Sequence, residues 1–200
     1  ANSSDTGNGG GSIVGAYQVN TGLTVAVAGT GWGSSTWGRD TWGSAATSTT
    51  ATELRIWTHD NFGEDLLFNV RNGNIFYWDT STDTLGTNRG TPLTLVSGAD
   101  AATPTVATQV MVSDRDRHVI VFGCDSETAI GTQDPLLIRF SNQESITEWA
   151  AEATNTAGDL RVGSGSEIVC AAETRQQILV WTDVSLHAMQ YLGPPFTFGI

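Results

Sequence analysis

Three short runs of the chain repeat one pattern: Asn74-Ile-Phe-Tyr-Trp78, His118-Val-Ile-Val-Phe122 and Gln177-Ile-Leu-Val-Trp181. In each, a polar residue precedes three apolar residues and a large aromatic. Each run follows a turn-like cluster, Arg71-Asn72-Gly73, Asp114-Arg115-Asp116-Arg117 or Thr174-Arg175-Gln176, which itself follows another apolar run. A strand–turn–strand unit therefore recurs, with Ile75, Val119 and Ile178 in matching places, 44 and 59 residues apart. Several strands per unit at such a period predict an all-β fold, a β-propeller-like stack of small antiparallel sheets. Propellers are mostly platforms for binding or assembly, and any chemistry on one needs a site of its own.

The units read as 54–100, 101–142 and 166–200, with an insert at 143–165. In the first, Asp65–Val70 and Asn74–Asp79 pair across Asn72-Gly73, the strongest hairpin signal in the chain, and Pro92–Val96 supplies an outer strand. The second runs through Val106–Val112, His118–Phe122 and Leu136–Phe140, the third through Glu167–Ala171, Gln177–Trp181 and Leu186–Leu192. The middle strands are apolar almost without alternation, which predicts burial on both faces. In the insert, Ser145-Ile-Thr-Glu148 fits a capping box and predicts one or two helical turns through Trp149–Ala153.

Residues 1–53 form a separate Gly/Trp-rich region. Residues 1–12 have linker composition, Ile13–Ala28 reads as a hairpin, and Trp32, Trp37 and Trp42 recur every five residues among glycines. The chain opens Ala1-Asn2-Ser3-Ser4 and stops within an apolar run at Ile200. Three units fall short of the four to eight blades that close a propeller, so a segment of a longer polypeptide is expected.

A formal net charge of −12 argues against a surface that grips nucleic acid through phosphate neutralisation. It fits equally a surface that DNA slides past, since like charges repel. No apolar run reaches 18 residues, so no membrane span is expected. Cys124 and Cys170, the two cysteines, sit in or beside apolar runs and read as buried free thiols, with a disulfide as the alternative.

Candidate chemistry is sparse. Asp60, Glu64 and Asp65 lie close together without Ca²⁺-loop spacing, and a loop ordered by side-chain hydrogen bonds is the favoured reading. His59, His118 and His187 share no ligand or triad spacing, and Gly163-Ser164-Gly165 reads as a turn. No nucleophile elbow, zinc-binding helix or P-loop is present. No enzyme activity, cofactor or metal is expected. Asp114, Arg115, Asp116 and Arg117 alternate in charge, as a solvated hairpin tip or a contact with a neighbouring subunit would. Trp32, Trp37 and Trp42 are candidates for a subunit interface or for stacking on a sugar. A glycan-binding propeller that recognises a host receptor is therefore the alternative function. A propeller glycosidase is disfavoured, because repeated Asp-box motifs and paired acids are missing.

Longer motifs carry a resemblance. Leu54-Arg-Ile-Trp-Thr-His-Asp-Asn-Phe-Gly-Glu-Asp-Leu-Leu67, Asp134-Pro-Leu-Leu-Ile-Arg-Phe-Ser-Asn-Gln-Glu144, Asn155–Leu160, Gly165–Ile168, Trp181–Asp183 and Met189–Pro195 together resemble large tail proteins of bacteriophages. They are similar to the nozzle, tail tubular or tail hub proteins of short-tailed phages. The resemblance covers about 54–200 of this sequence. It implies a virion protein, assembled in the host cytoplasm into a homo-oligomeric ring of six copies. The implied neighbours are portal and adaptor proteins and tail fibres or spikes, with double-stranded DNA passing unbound through the channel. Acidic loops lining that channel are the matching physical expectation.

Overall fold

At Asn72 the backbone turns into the left-handed region (φ 55°), and the Gly73 amide donates to Val70 O at 2.8 Å. An Asn-Gly pair tolerates that conformation at little cost. The computed structural model describes residues 56–82, 89–193 and 196–200, within the unit Ile56–Ile200. Around this turn β2 (Asp65–Val70) pairs antiparallel with β3 (Ile75–Trp78), placing Leu66 opposite Trp78 and Asn69 opposite Ile75. β1 (Trp57–Phe62) and β4 (Thr91–Pro92) complete a four-stranded sheet in the order β1-β2-β3-β4.

The outer strand expected over Pro92–Val96 is almost absent. Pro92 has no N–H to give the ladder, and Leu93–Leu95 instead form a 3₁₀ turn that buries Leu93.

A second sheet has the order β5 (Gln109–Val112), β6 (Val119–Phe122), β7 (Leu137–Phe140), β8 (Gly158–Arg161). The third is β9 (Ile168–Glu173), β10 (Ile178–Thr182), β11 (Leu186–Gly193), β12 (Thr197–Gly199). The described residues are thus nearly all β: three four-stranded antiparallel sheets, an open propeller-like stack.

The second sheet is shared between two cores. Val110, Val112, Val119, Val121 and Leu137 pack with Leu67 and Ile75 of the first sheet and with Leu93 of the 3₁₀ turn. Their alternating neighbours Met111, Ile120, Phe122, Ile138 and Phe140 pack with Ile168, Ile178, Val180, Met189 and Phe198 of the third. Strand period 2 divides the side chains this way, and it explains why β6 and β7 are buried along their whole length.

Burial on both faces does not extend to the other repeats. β10 alternates between buried and half-buried residues, and Tyr77 and Trp78 of β3 are half-buried. Nor are the three places equivalent in the sheets: Ile75 opens the third strand of its sheet, whereas Val119 and Ile178 open the second of theirs.

Two further differences lie near the predicted insert. β8 comes from within it, and Gly158 there lets the Phe140 ring approach the backbone closely; a Cβ would meet the ring at 2.9 Å. The helical turns expected after Ser145 do not form. Ser145 Oγ accepts from the Thr147 and Glu148 amides at 3.3 Å, as a cap would. The Trp149 and Ala150 amides, however, both donate to Asp100 Oδ2, at 2.6 and 2.9 Å. Glu148 turns to Asn142 in place of the Ser145 backbone, and Trp149 sinks into the core. No helix among the described residues is long and apolar enough to cross a membrane.

Candidate functional site

β5 and β9 begin the second and third sheets, so each has one edge without a strand partner in its own sheet. Open edges leave N–H and C=O groups unpaired. Here side chains of the preceding sheet satisfy them. Asn69 Oδ1 accepts from the Val110 amide at 3.1 Å while its Nδ2 donates to Ala107 O at 3.0 Å. Asp60 Oδ2 accepts from the Val112 amide at 2.9 Å. One sheet further on, Gln109 Oε1 accepts from the Ala171 amide and Gln109 Nε2 donates to Ala171 O, both at 2.8 Å. From the β2–β3 turn of the first sheet, Arg71 Nη1 adds a bond to Val169 O at 3.1 Å. The edges are tied sheet to sheet by amides and carboxylates.

Carboxylates gather at one end of these edges. The Asp114 amide donates to both oxygens of Glu173, at 3.2 and 3.3 Å. Glu173 is pushed above the ordinary range of its carboxyl group. Burial is the main cause, with repulsion from Asp114, Asp60 and Asp116 behind it, and the Asp114 amide opposes both. All three sheets thus contribute an acid to this rim, and Arg115 and Arg175 line a small hollow with Asp116 and Glu173.

Of the residues singled out in the sequence, Asp114, Arg115 and Arg117 are exposed and Asp116 is half-buried on the β5–β6 turn. Arg117 stands in the left-handed region (φ 52°) with its guanidinium 5.3 Å from the Phe62 ring centroid. Trp32, Trp37, Trp42 and the 13–28 hairpin lie outside the described residues. Both cysteines are free. Cys124 is buried, and burial raises its thiol pKa; Cys170 is exposed, contrary to expectation, because it faces away from the core on β9.

The carboxylates near residue 60 serve structure. Asp65 accepts from the Tyr77 hydroxyl and from the Thr80 amide and hydroxyl. Burial would raise its pKa, but these bonds outweigh it and leave Asp65 below the ordinary carboxylate range. Among the described residues no group of three His, Cys, Asp or Glu is placed to hold a metal ion.

Sequence reasoning missed one polar cluster. His187 Nε2 lies 2.8 Å from Ser185 Oγ and 3.0 Å from Ser164 Oγ, and the two hydroxyls are 2.8 Å apart. A nucleophilic serine needs a base whose second nitrogen is held by an acceptor. The nearby Asp183 carboxylate is instead taken by the Ser166 amide and hydroxyl, at 2.8 and 2.6 Å. The β10–β11 turn is closed separately, by the Thr182 amide donating to Ser185 O at 2.8 Å.

Comparison with protein-family models, curated proteins and solved structures gives no match for this chain. Its functional reading therefore rests on the edge clamps and the acidic rim. No signal at regular spacing could have revealed either, because their residues come from different sheets.

Proposed function

We propose that this chain is a structural subunit of a phage tail nozzle or hub, without catalysis, that forms part of a ring-shaped channel for genome ejection. The observation that carries the reading is the acidic rim, where Asp60, Asp114, Asp116 and Glu173 from three sheets meet. A wall of this sign repels phosphate, so a duplex passes without the counterion release that would hold it.

The disposition of the arginines supports the same view. Arg139 is buried and donates to Ala102 O at 2.6 Å; Arg161 is paired with Asp134 at 2.8 Å; Arg71 and Arg117 bind groups of their own chain. These four are poorly placed to neutralise a backbone of phosphates, while Arg115 and Arg175 stand at the rim itself, where the four acids outnumber them. The resemblance of 54–200 to tail proteins supplies the assembly: a homo-oligomeric ring, six copies by that resemblance, between portal or adaptor and tail fibres.

Electron cryomicroscopy of the assembled particle tests the reading. The chain is expected on the tail axis with Asp60 and Glu173 facing the lumen. A lumen lined by arginine with this rim turned outward, or a chain placed off the tail, overturns it.

A further inference from the structure

We infer that the cleft beside the end of β3 is a binding site for a neutral pyranose sugar. Its cavity of about 630 Å³ lies within the range of about 300–1,000 Å³ that small-ligand sites span. Trp78 and Asp79 wall it at the end of β3, Arg89 and Thr91 at β4, and Ile146 and Thr147 from the insert.

Trp78 stands where the repeat has Phe122 in β6. Phe122 is fully buried, whereas Trp78 is half-buried and lines the cleft. An indole on a cavity wall presents a flat apolar face of negative potential, against which the polarised C–H groups of a pyranose can lie. Leu95, 72% exposed, extends the apolar part of the lining.

Polar groups narrow the ligand further. The turn after β3 fixes Asp79, whose Oδ1 accepts from the Ser81 amide at 2.8 Å and the Ser81 hydroxyl at 2.6 Å. Oδ2 has no hydrogen-bond partner among the described residues. A carboxylate held through one oxygen and open at the other is a preset acceptor for a ligand hydroxyl, in a bond stronger than a neutral one. Thr91, Ser97 and Thr147 bring hydroxyls to the same cleft. Among the described lining residues Asp79 is the acid and Arg89 the base. The first opposes an anion and the second a cation, so a neutral ligand rich in hydroxyls and apolar on one face fits best. A hexose or N-acetylhexosamine has this chemistry, whether free or as a unit of a glycan chain. None of the rim acids lines this cleft, and the inference does not depend on the tail reading.

Saturation-transfer NMR of the whole 200-residue protein with glucose, galactose, mannose and N-acetylglucosamine, and with their β-1,4-linked dimers, tests it. Saturable binding of at least one is expected, with transfer strongest to the protons of one ring face. Asp79→Asn keeps an acceptor for Ser81 and should weaken binding by about tenfold, with an unchanged circular dichroism spectrum. Trp78→Leu should weaken it by about as much, and Trp57→Phe, outside the cleft, should leave it unchanged. A dimer bound more tightly than its monomer assigns the site to a glycan chain, and equal affinity assigns it to a free sugar. Absence of binding by every sugar, a preference for glucose 6-phosphate or glucosamine over glucose, or binding that survives both cleft substitutions overturns the proposal.

Discussion

The side-chain amide of Gln109 closes on both backbone groups of Ala171, with two hydrogen bonds of 2.8 Å. An amide side chain here does what a neighbouring strand does in a continuous sheet. Successive sheets are thereby fixed along the strand direction as well as by their apolar contact.

Asn69 forms the same kind of clamp one sheet earlier, but it is fully buried while Gln109 is half-buried. Asn69→Ala removes the side-chain donor to the Ala107 carbonyl and leaves the Val110 amide only its longer bond to Thr58 Oγ1 at 3.3 Å, at a cost of about 2 kcal/mol; Gln109→Ala, where water can enter, costs about 1 kcal/mol. Urea denaturation of the two variants measures the difference. Equal losses would show that burial does not set the strength of the clamps.

His118 is buried at the junction of the second and third sheets, its ring 5.2 Å from Phe198 and 6.4 Å from Phe140. Nε2 meets Thr156 Oγ1 at 3.1 Å, and Nδ1 has no partner. Burial lowers its pKa, although Asp116 opposes this. The native state therefore stays neutral where the unfolded chain takes up a proton. Stability is full above the unfolded value of about 6.5 and falls as pH drops from there towards the depressed native value. Thermal unfolding over this range should show the loss in the parent, and His118→Phe should lack that component.

Glu173 has the opposite dependence. Its raised pKa means that ionisation is less favourable in the native state than in the unfolded one. Its contribution is complete below the unfolded value of about 4.3 and is lost as pH rises through the native value. Glu173→Gln keeps an acceptor for the Asp114 amide and removes the charge. Its melting temperature should exceed the parent's at neutral pH and match it in acid; a lower value at neutral pH would refute the repulsion within the rim.

Gly158 faces the Phe140 ring so closely that a Cβ would lie 2.9 Å from Cζ and 3.1 Å from Cε2. The ring cannot withdraw, being packed against Phe198 at 4.9 Å. Gly158→Ala should cost about 2 kcal/mol by overpacking, with amide exchange faster in β8 than in β5. Gly163→Ala is the control, since nothing lies near its Cβ position.

Strands flanking a strong local signal were legible in the sequence. Asn72-Gly73 gave the β2–β3 hairpin, and the unbroken apolar run of β6 announced burial on both sides. What escaped was set by distant partners. Gly158-Asp-Leu-Arg161 has the composition of a loop and becomes a strand because β7 offers it an edge. Ser145 and Glu148 have capping-box spacing, yet Asp100, 49 residues before Trp149, takes the amides a helix would need. The acidic rim escaped for the same reason: Asp60 and Glu173 become neighbours only after three sheets have stacked. Pro92, by contrast, carried a local warning in its missing N–H.

Because Val119 and Val121 serve one core while Ile120 and Phe122 serve the other, β6 is checked from both sides at once. Inserting a single residue near Val119 would trade the small set for the large one in two interiors together, leaving voids in one and collisions in the other. A strand held this way has no near-miss alignment to fall into, so length changes in evolution should collect in the turns around it and spare the strand itself.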